Sequence, residues 1–189
     1  MSGACRRVTK RQPLQAVFVS TEVAPWSKSG GLGDVLEALP VALAHRGLAC
    51  MTVAPFYKPY SGTKALNLAV PVTTNSAIST SDACCKSVHV ARLHVVVDKG
   101  VLRVFVDHPF FEVPENGIYS SYTADGGERD VPAAMDVLCQ ASLAASILVP
   151  AHIDQLRGWT GGPLPSEVTV RLTISLVFTL RNFQCFIAI

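Results

Sequence analysis

Between residues 16 and 54 the hydrophobic period of the sequence switches from strand to helix and back, and that succession leaves few folds open. Ala16–Ser20 (A-V-F-V-S) is a short continuous apolar run, the pattern of a buried strand. Gly30, Gly31 and Gly33 follow in a loop. From Leu32, the residues Leu32, Val35, Leu36, Leu39, Leu43 and Ala44 recur at three- and four-residue spacing. This predicts an amphipathic helix, with Gly47 placed as its C-terminal stop. Leu48–Ala54 predicts a second strand, ended by Pro55. Strand, glycine loop, helix and strand make a βαβ unit, so the expected class is α/β with a parallel sheet and a right-handed crossover. Pro40 falls inside the helix. An interior proline costs about 3 kcal/mol, so a kink or two abutting helices are expected there.

The remaining pattern is less regular. Phe56–Lys64 reads as a Pro/Gly/Tyr loop, and residues 65–87 are polar and small with little periodicity. Val88–Val97 and Val101–Val106 flank Asp98-Lys99-Gly100, which predicts a hairpin with a three-residue turn. Phe110–Arg129, with Pro114, Gly117, Gly126 and Gly127, predicts a long loop. Asp130–Leu148 predicts a helix, with Asp130 as N-cap, Pro132 in the first turn, and Val131, Ala134, Val137, Leu138, Ser142 and Ala145 on one face. From Val168 to Leu180 every even position is apolar, a strand-like alternation broken as a membrane span by Arg171 and Arg181.

Composition narrows the class. Of the 189 residues, 49% are hydrophobic and 16% charged, which excludes disorder as a description of the whole chain. A net charge of +2 gives no reason to expect nucleic acid or a membrane as partner. The charge is nevertheless segmented: +4 over residues 1–15, −3 over 16–157 and +1 over 158–189. The first segment reads as a basic leader without a secretory apolar core. Cys5, Cys50, Cys84, Cys85, Cys139 and Cys185 form no C-x-x-C pair, and the five histidines are scattered, so no metal site is expected.

The stretch that carries chemistry is Ser20–Asp34, S-T-E-V-A-P-W-S-K-S-G-G-L-G-D. It lies after the first strand and opens the first helix, the edge at which open α/β sheets bind ligands. Gly30, Gly31 and Gly33 let backbone approach a ligand closely. The helix start offers unpaired N–H groups and the positive end of the dipole. Lys28 adds a cation. Together these describe a phosphate or pyrophosphate site, in which Asp34 either accepts hydroxyls of a ribose or sugar or complements the dipole. The spacing is neither G-x-G-x-x-G nor G-x-x-x-x-G-K-[ST], and a tight strand-to-helix turn with a solvated lysine explains it equally.

The longer string E-V-A-P-W-S-K-S-G-G-L-G-D-V at Glu22–Val35 resembles the N-terminal signature of starch and bacterial glycogen synthases, in which K-T-G-G-L-G/A-D is usual. Ser29 stands where that motif has Thr. The resemblance continues through L-P-V-A-L-A-H-R-G at Leu39–Gly47, M-T-V-A-P-F-Y-K-P-Y at Met51–Tyr60, V-L-R-V-F-V-D-H-P at Val101–Pro109 and L-C-Q-A-S-L at Leu138–Leu143. It is strongest to plant and algal members.

The resemblance implies a GT-B-type glycosyltransferase, of which this chain resembles the Rossmann-like N-terminal half. It also implies transfer of glucose from ADP-glucose to the non-reducing end of an α-1,4-glucan, in a plastid, with no cofactor beyond the donor substrate. By motif, Lys28 would contact the donor's phosphates or glucose, Gly30, Gly31 and Gly33 would approach the pyrophosphate, and Asp34 would help hold the nucleotide sugar. Tyr57, Asp107 and His108 lie in matching stretches, where loop packing and turn capping explain them. The motif match ends near Pro150, and the family's W-H-T-like motif and second domain find no counterpart, because no His follows Trp159. The sequence therefore divides into a leader at 1–15, a starch-synthase-like domain at 16–157 and an unmatched apolar tail at 158–189. The expected catalytic residues fall outside it. Two readings follow: a truncated synthase that is inactive alone, or a non-catalytic module that binds ADP-glucose, a glucan or a synthase.

Overall fold

A computed structural model describes residues 15–75, 86–114 and 117–152. The leader, the alternating run at 168–180, the Cys84–Cys85 pair and Trp159 lie outside the described residues. The elements in chain order are β1 (Gln15–Val19), α1 (Gly31–Ala44), β2 (Ala49–Pro55), β3 (Lys64–Asn75), β4 (Lys86–Asp98), β5 (Val101–Asp107), a 3-10 turn (Pro109–Phe111) and α2 (Val131–Ala151).

The five strands form one sheet in the order β1-β2-β5-β4-β3. β1, β2 and β5 run parallel, with Val17 opposite Met51 and Val53 opposite Val104. β4 adds antiparallel to β5 and β3 antiparallel to β4, so the parallel strands of the βαβ unit continue into the expected hairpin and the sheet as a whole is mixed. β2 is buried along its whole length, as a strand covered on both faces should be.

Alternation along the strands feeds two cores. Val53, Val104 and Val106 point to one face, where Ala134, Val137, Leu138, Ala141, Ala145 and Val149 of α2 cover them. Ala54 and Phe105 point to the other face and meet Leu36 of α1, Val23 and Tyr60. The molecule is thus a helix–sheet–helix sandwich. α2 is long and apolar enough by length and composition to cross a membrane, but its apolar stripe is spent in this core. Truncating a residue such as Leu36 to alanine would cost about 2–5 kcal/mol.

Several local expectations change. Lys64–Asn75, mostly within the stretch whose sequence shows little periodicity, form a full strand. Leu66, Val70 and Val72 are buried, and a register shift between Ala65 and Ala69 hides the period. Pro71 is tolerated because β3 lies at the end of the sheet. The hairpin turn has two residues, not three: Asp98 pairs with Val101, and Lys99 (φ 49°) and Gly100 (φ 79°) both take positive φ, the requirement of a type I′ turn. Pro40 does not divide α1 into two abutting helices; the helix runs unbroken from Gly31 to Ala44 through it. On α1 only Leu36 of the predicted apolar face is fully buried, while Val35 and Leu39 are exposed. α2 starts as expected, with the Asp130 carboxylate accepting from the Ala133 amide at 2.9 Å.

Candidate functional site

The carboxyl ends of β1, β2 and β5 lie on one edge of the sheet and deliver three segments there: residues 20–30, residues 56–63 and the stretch after Asp107. The first is closed on itself by Val23 and Ser27, whose amides and carbonyls exchange hydrogen bonds at 2.9 Å. The Ala24 amide donates to the Gly33 carbonyl at 3.1 Å, which fastens this loop to the first turn of α1.

α1 opens at Gly31, so Gly31 and Gly33 belong to the helix and only Gly30 lies outside it, where all three were expected in the loop. Gly30 has extended backbone (φ −149°) and no side-chain cap. The first-turn amides therefore lack acceptors within the helix. A Cβ built at Gly30 or Gly31 meets nothing within 4 Å, and neither backbone requires glycine. Gly33 differs. A Cβ there would stand 3.2 Å from Lys28 Cγ and 3.3 Å from Glu22 Oε2. Its absence lets the Lys28 stem and the Glu22 carboxylate pack on the helix start.

Lys28 and Asp34 come together. Lys28 Nζ is 2.7 Å from Asp34 Oδ1, across the mouth of the glycine turn. Both side chains are about half exposed. Lys28, Gly30, Gly31, Gly33 and Asp34 are thus neighbours in space as in sequence.

Sequence reasoning passed over the residue that organises this turn. Glu22 is buried, and its carboxylate accepts four hydrogen bonds: from the Ser29 amide (2.8 Å), the Ser29 hydroxyl (2.7 Å), the Gly30 amide (3.1 Å) and the Tyr119 hydroxyl. Burial alone would raise its pKa. The donated hydrogen bonds, led by Tyr119 and Ser29, outweigh burial and hold it below the ordinary glutamate value. Tyr119 comes from the long loop after β5. Nothing in local spacing ties it to Glu22, although a carboxylate seven residues before a Ser-Gly-Gly helix start is a usable signal.

The other residues in motif-matching stretches have structural tasks. The Tyr57 hydroxyl donates to the Thr21 carbonyl at 3.0 Å, and burial pushes its pKa up. Asp107 faces His94 Nε2 at 3.2 Å. His108 is buried and caps the 3-10 turn by accepting from the Phe110 amide at 3.2 Å, and burial pushes its pKa below the ordinary histidine value. Among the described residues, His, Cys, Asp and Glu side chains form no group of three suited to a metal ion.

The family described as "Starch synthase catalytic domain" matches residues 15–184. The chain belongs to the starch synthase catalytic-domain family. Relatives in that family include granule-bound starch synthase 1 of Solanum tuberosum, 40% identical over 147 residues, which is 76% of this chain and 23% of that protein. Soluble starch synthase 2-1 of Oryza sativa subsp. japonica is 38% identical over 138 residues, covering 72% of this chain and 16% of that protein. Both are described as chloroplastic/amyloplastic. This chain therefore spans less than a quarter of the length of either starch synthase. A solved structure, the catalytic domain of starch synthase IV from Arabidopsis thaliana bound to ADP and acarbose, is 24% identical. It superimposes with a TM-score of 0.48 over 69% of this chain and 26% of that one.

Proposed function

We propose that the Glu22–Val35 turn binds the diphosphate of a nucleotide-sugar donor, ADP-glucose, for transfer of glucose to the non-reducing end of an α-1,4-glucan in starch synthesis. Family membership supports the reaction class. In this reading the chain is the Rossmann-like N-terminal half of a GT-B-type glycosyltransferase, a second domain completes the cleft, and the setting is a plastid, as the names of the relatives state for them. The donor is a substrate, and no cofactor enters.

The observation that carries the proposal is the pair Gly30 and Gly31. Neither is required by backbone conformation or by packing among the described residues, where a Cβ at either would meet nothing within 4 Å. Glycine there keeps a surface clear for something outside the chain. The amides at a helix start and Lys28 make that something an anion. Lys28 would hold the phosphates, the bare turn would admit the pyrophosphate, and Asp34 would accept from hydroxyls of the nucleotide sugar.

Calorimetry with ADP-glucose on the 189-residue chain tests this. Binding that falls about tenfold in Lys28→Ala, a loss of about 1.4 kcal/mol, supports it. Absence of binding, or equal binding by Lys28→Ala, refutes it.

A further inference from the structure

Arg103 is the largest fully buried side chain described, at 0% exposure in the middle of β5. A buried guanidinium is costly unless its donors are met. Among the described residues its Nε has no partner, and the two terminal nitrogens carry the contacts. Nη1 donates to the Leu36 carbonyl at 2.8 Å and Nη2 to the Glu37 carbonyl at 3.2 Å, both in the middle of α1. Asp98 is at 3.5 Å. The guanidinium carbon also lies 5.8 Å from the centre of the Trp26 ring, which meets Phe105 edge-on at 5.4 Å.

Pro40 explains the geometry. It has no N–H, and a helix pairs each N–H with the carbonyl four residues earlier, so Pro40 leaves the Leu36 carbonyl without its helical donor. Arg103 supplies that donor from the neighbouring strand. The same side chain thus closes the gap in α1 and lies against Trp26, which stands between Glu22 and Lys28 in the chain. Helix and loop are then joined again at the Ala24–Gly33 hydrogen bond.

We propose that Arg103 is a positioning residue for the glycine turn. By replacing the hydrogen bond that Pro40 removes and seating Trp26, it fixes the start of α1 relative to the loop that carries Lys28. The link to ligand binding rests on the donor-phosphate reading above, whereas the link to loop order does not.

The test is amide hydrogen exchange on the full 189-residue chain, in four forms: wild type, Arg103→Met, Pro40→Ala and the double variant, each also titrated with inorganic pyrophosphate. In Arg103→Met, exchange over residues 26–34 should rise at least tenfold more than exchange over residues 131–150 of α2. Pyrophosphate binding should weaken at least fivefold. Pro40→Ala returns an N–H to the Leu36 carbonyl, so the double variant should recover most of both. A merely structural arginine predicts uniform loosening and no rescue, and either result overturns the proposal. Should Arg103→Met not fold in either background, Arg103→Lys, which keeps the charge without the fork, gives the same comparison. If exchange follows the expected pattern but wild type binds no pyrophosphate, the positioning role stands and the donor-site reading fails. If wild type binds pyrophosphate and Arg103→Met binds it equally, the positioning role fails alone.

Discussion

Lys28 Nζ sits 2.7 Å from Asp34 Oδ1, so the cation of the candidate site is already paired in the free chain. The pair is exposed and worth at most about 1 kcal/mol. A diphosphate carries more charge and draws Lys28 away at that modest cost. Asp34→Asn should therefore strengthen inorganic pyrophosphate binding about two- to fivefold. On the proposed reading it should weaken ADP-glucose binding, because the carboxylate proposed to accept from donor hydroxyls is lost. Isothermal titration with both ligands decides the matter. Equal strengthening of both would assign Asp34 to the helix dipole and to Lys28 alone.

The three glycines separate stability from binding. Gly31→Ala replaces a helical glycine in open space, so thermal unfolding should show a gain of about 0.5–1 kcal/mol. The added methyl stands where a ligand would approach, so ADP-glucose affinity should fall. Gly33→Ala should move both quantities downward, since its Cβ would stand 3.2 Å from the Lys28 side chain and 3.3 Å from the Glu22 carboxylate. A Gly31→Ala protein that is more stable and binds as well as wild type would remove the reason for glycine at that position.

Glu22 sets an acid limit on the fold. Its folded pKa lies below the ordinary value of 4.5, despite burial, because Tyr119, Ser29 and Gly30 donate to the charged form. A group depressed in this way stabilises the native state fully above its unfolded value, and that contribution is lost as pH falls through the folded value. Glu22→Gln should cost about 1–3 kcal/mol at neutral pH, the usual range for hydrogen bonds to a charged group and for a buried group left short of a partner. It should also flatten the loss of stability below about pH 4.5. Urea unfolding of wild type and variant at pH 3.5, 5 and 7 reads both effects. Parallel curves at all three would show that the carboxylate charge contributes nothing.

How much of this was legible depends on whether a feature is local. The strand–glycine–helix–strand succession was, because each period is set by residues a few positions apart, and it placed Lys28, Gly30, Gly31, Gly33 and Asp34 correctly as neighbours. β3 was not, because the irregular register between Ala65 and Ala69 and the proline at 71 break the alternation that marks a strand. The Leu36 carbonyl, which Pro40 leaves without a helical donor, meets Arg103, 67 positions later, and Glu22 acquires its role partly through Tyr119, 97 positions away. Both are contacts between polar groups that the fold brings together, and no periodicity announces them. Val35 and Leu39 carry the same lesson in reverse. Their spacing is that of a buried face, but the sheet covers only the stripe centred on Leu36 and Pro40.

Turnover demands more of the chain than binding does. Glucosyl transfer must lower its barrier by about 8–23 kcal/mol, and much of that comes from charge stabilisation together with a base or acid poised on the reacting oxygen. In the proposed reading Lys28 and the start of α1 meet a phosphate, but two buried acid–base groups of the chain, Glu22 and His108, are already engaged in the fold. Glu22 accepts four hydrogen bonds and is held below its ordinary value, which makes it a weak base. His108 accepts from the Phe110 amide. The 189-residue chain should therefore bind inorganic pyrophosphate, yet incorporate no labelled glucose from ADP-glucose into glycogen above a no-protein control. Incorporation that disappears in Lys28→Ala would show that this segment alone assembles a working site, and that Glu22 or His108 gives up its internal hydrogen bonds when the donor arrives.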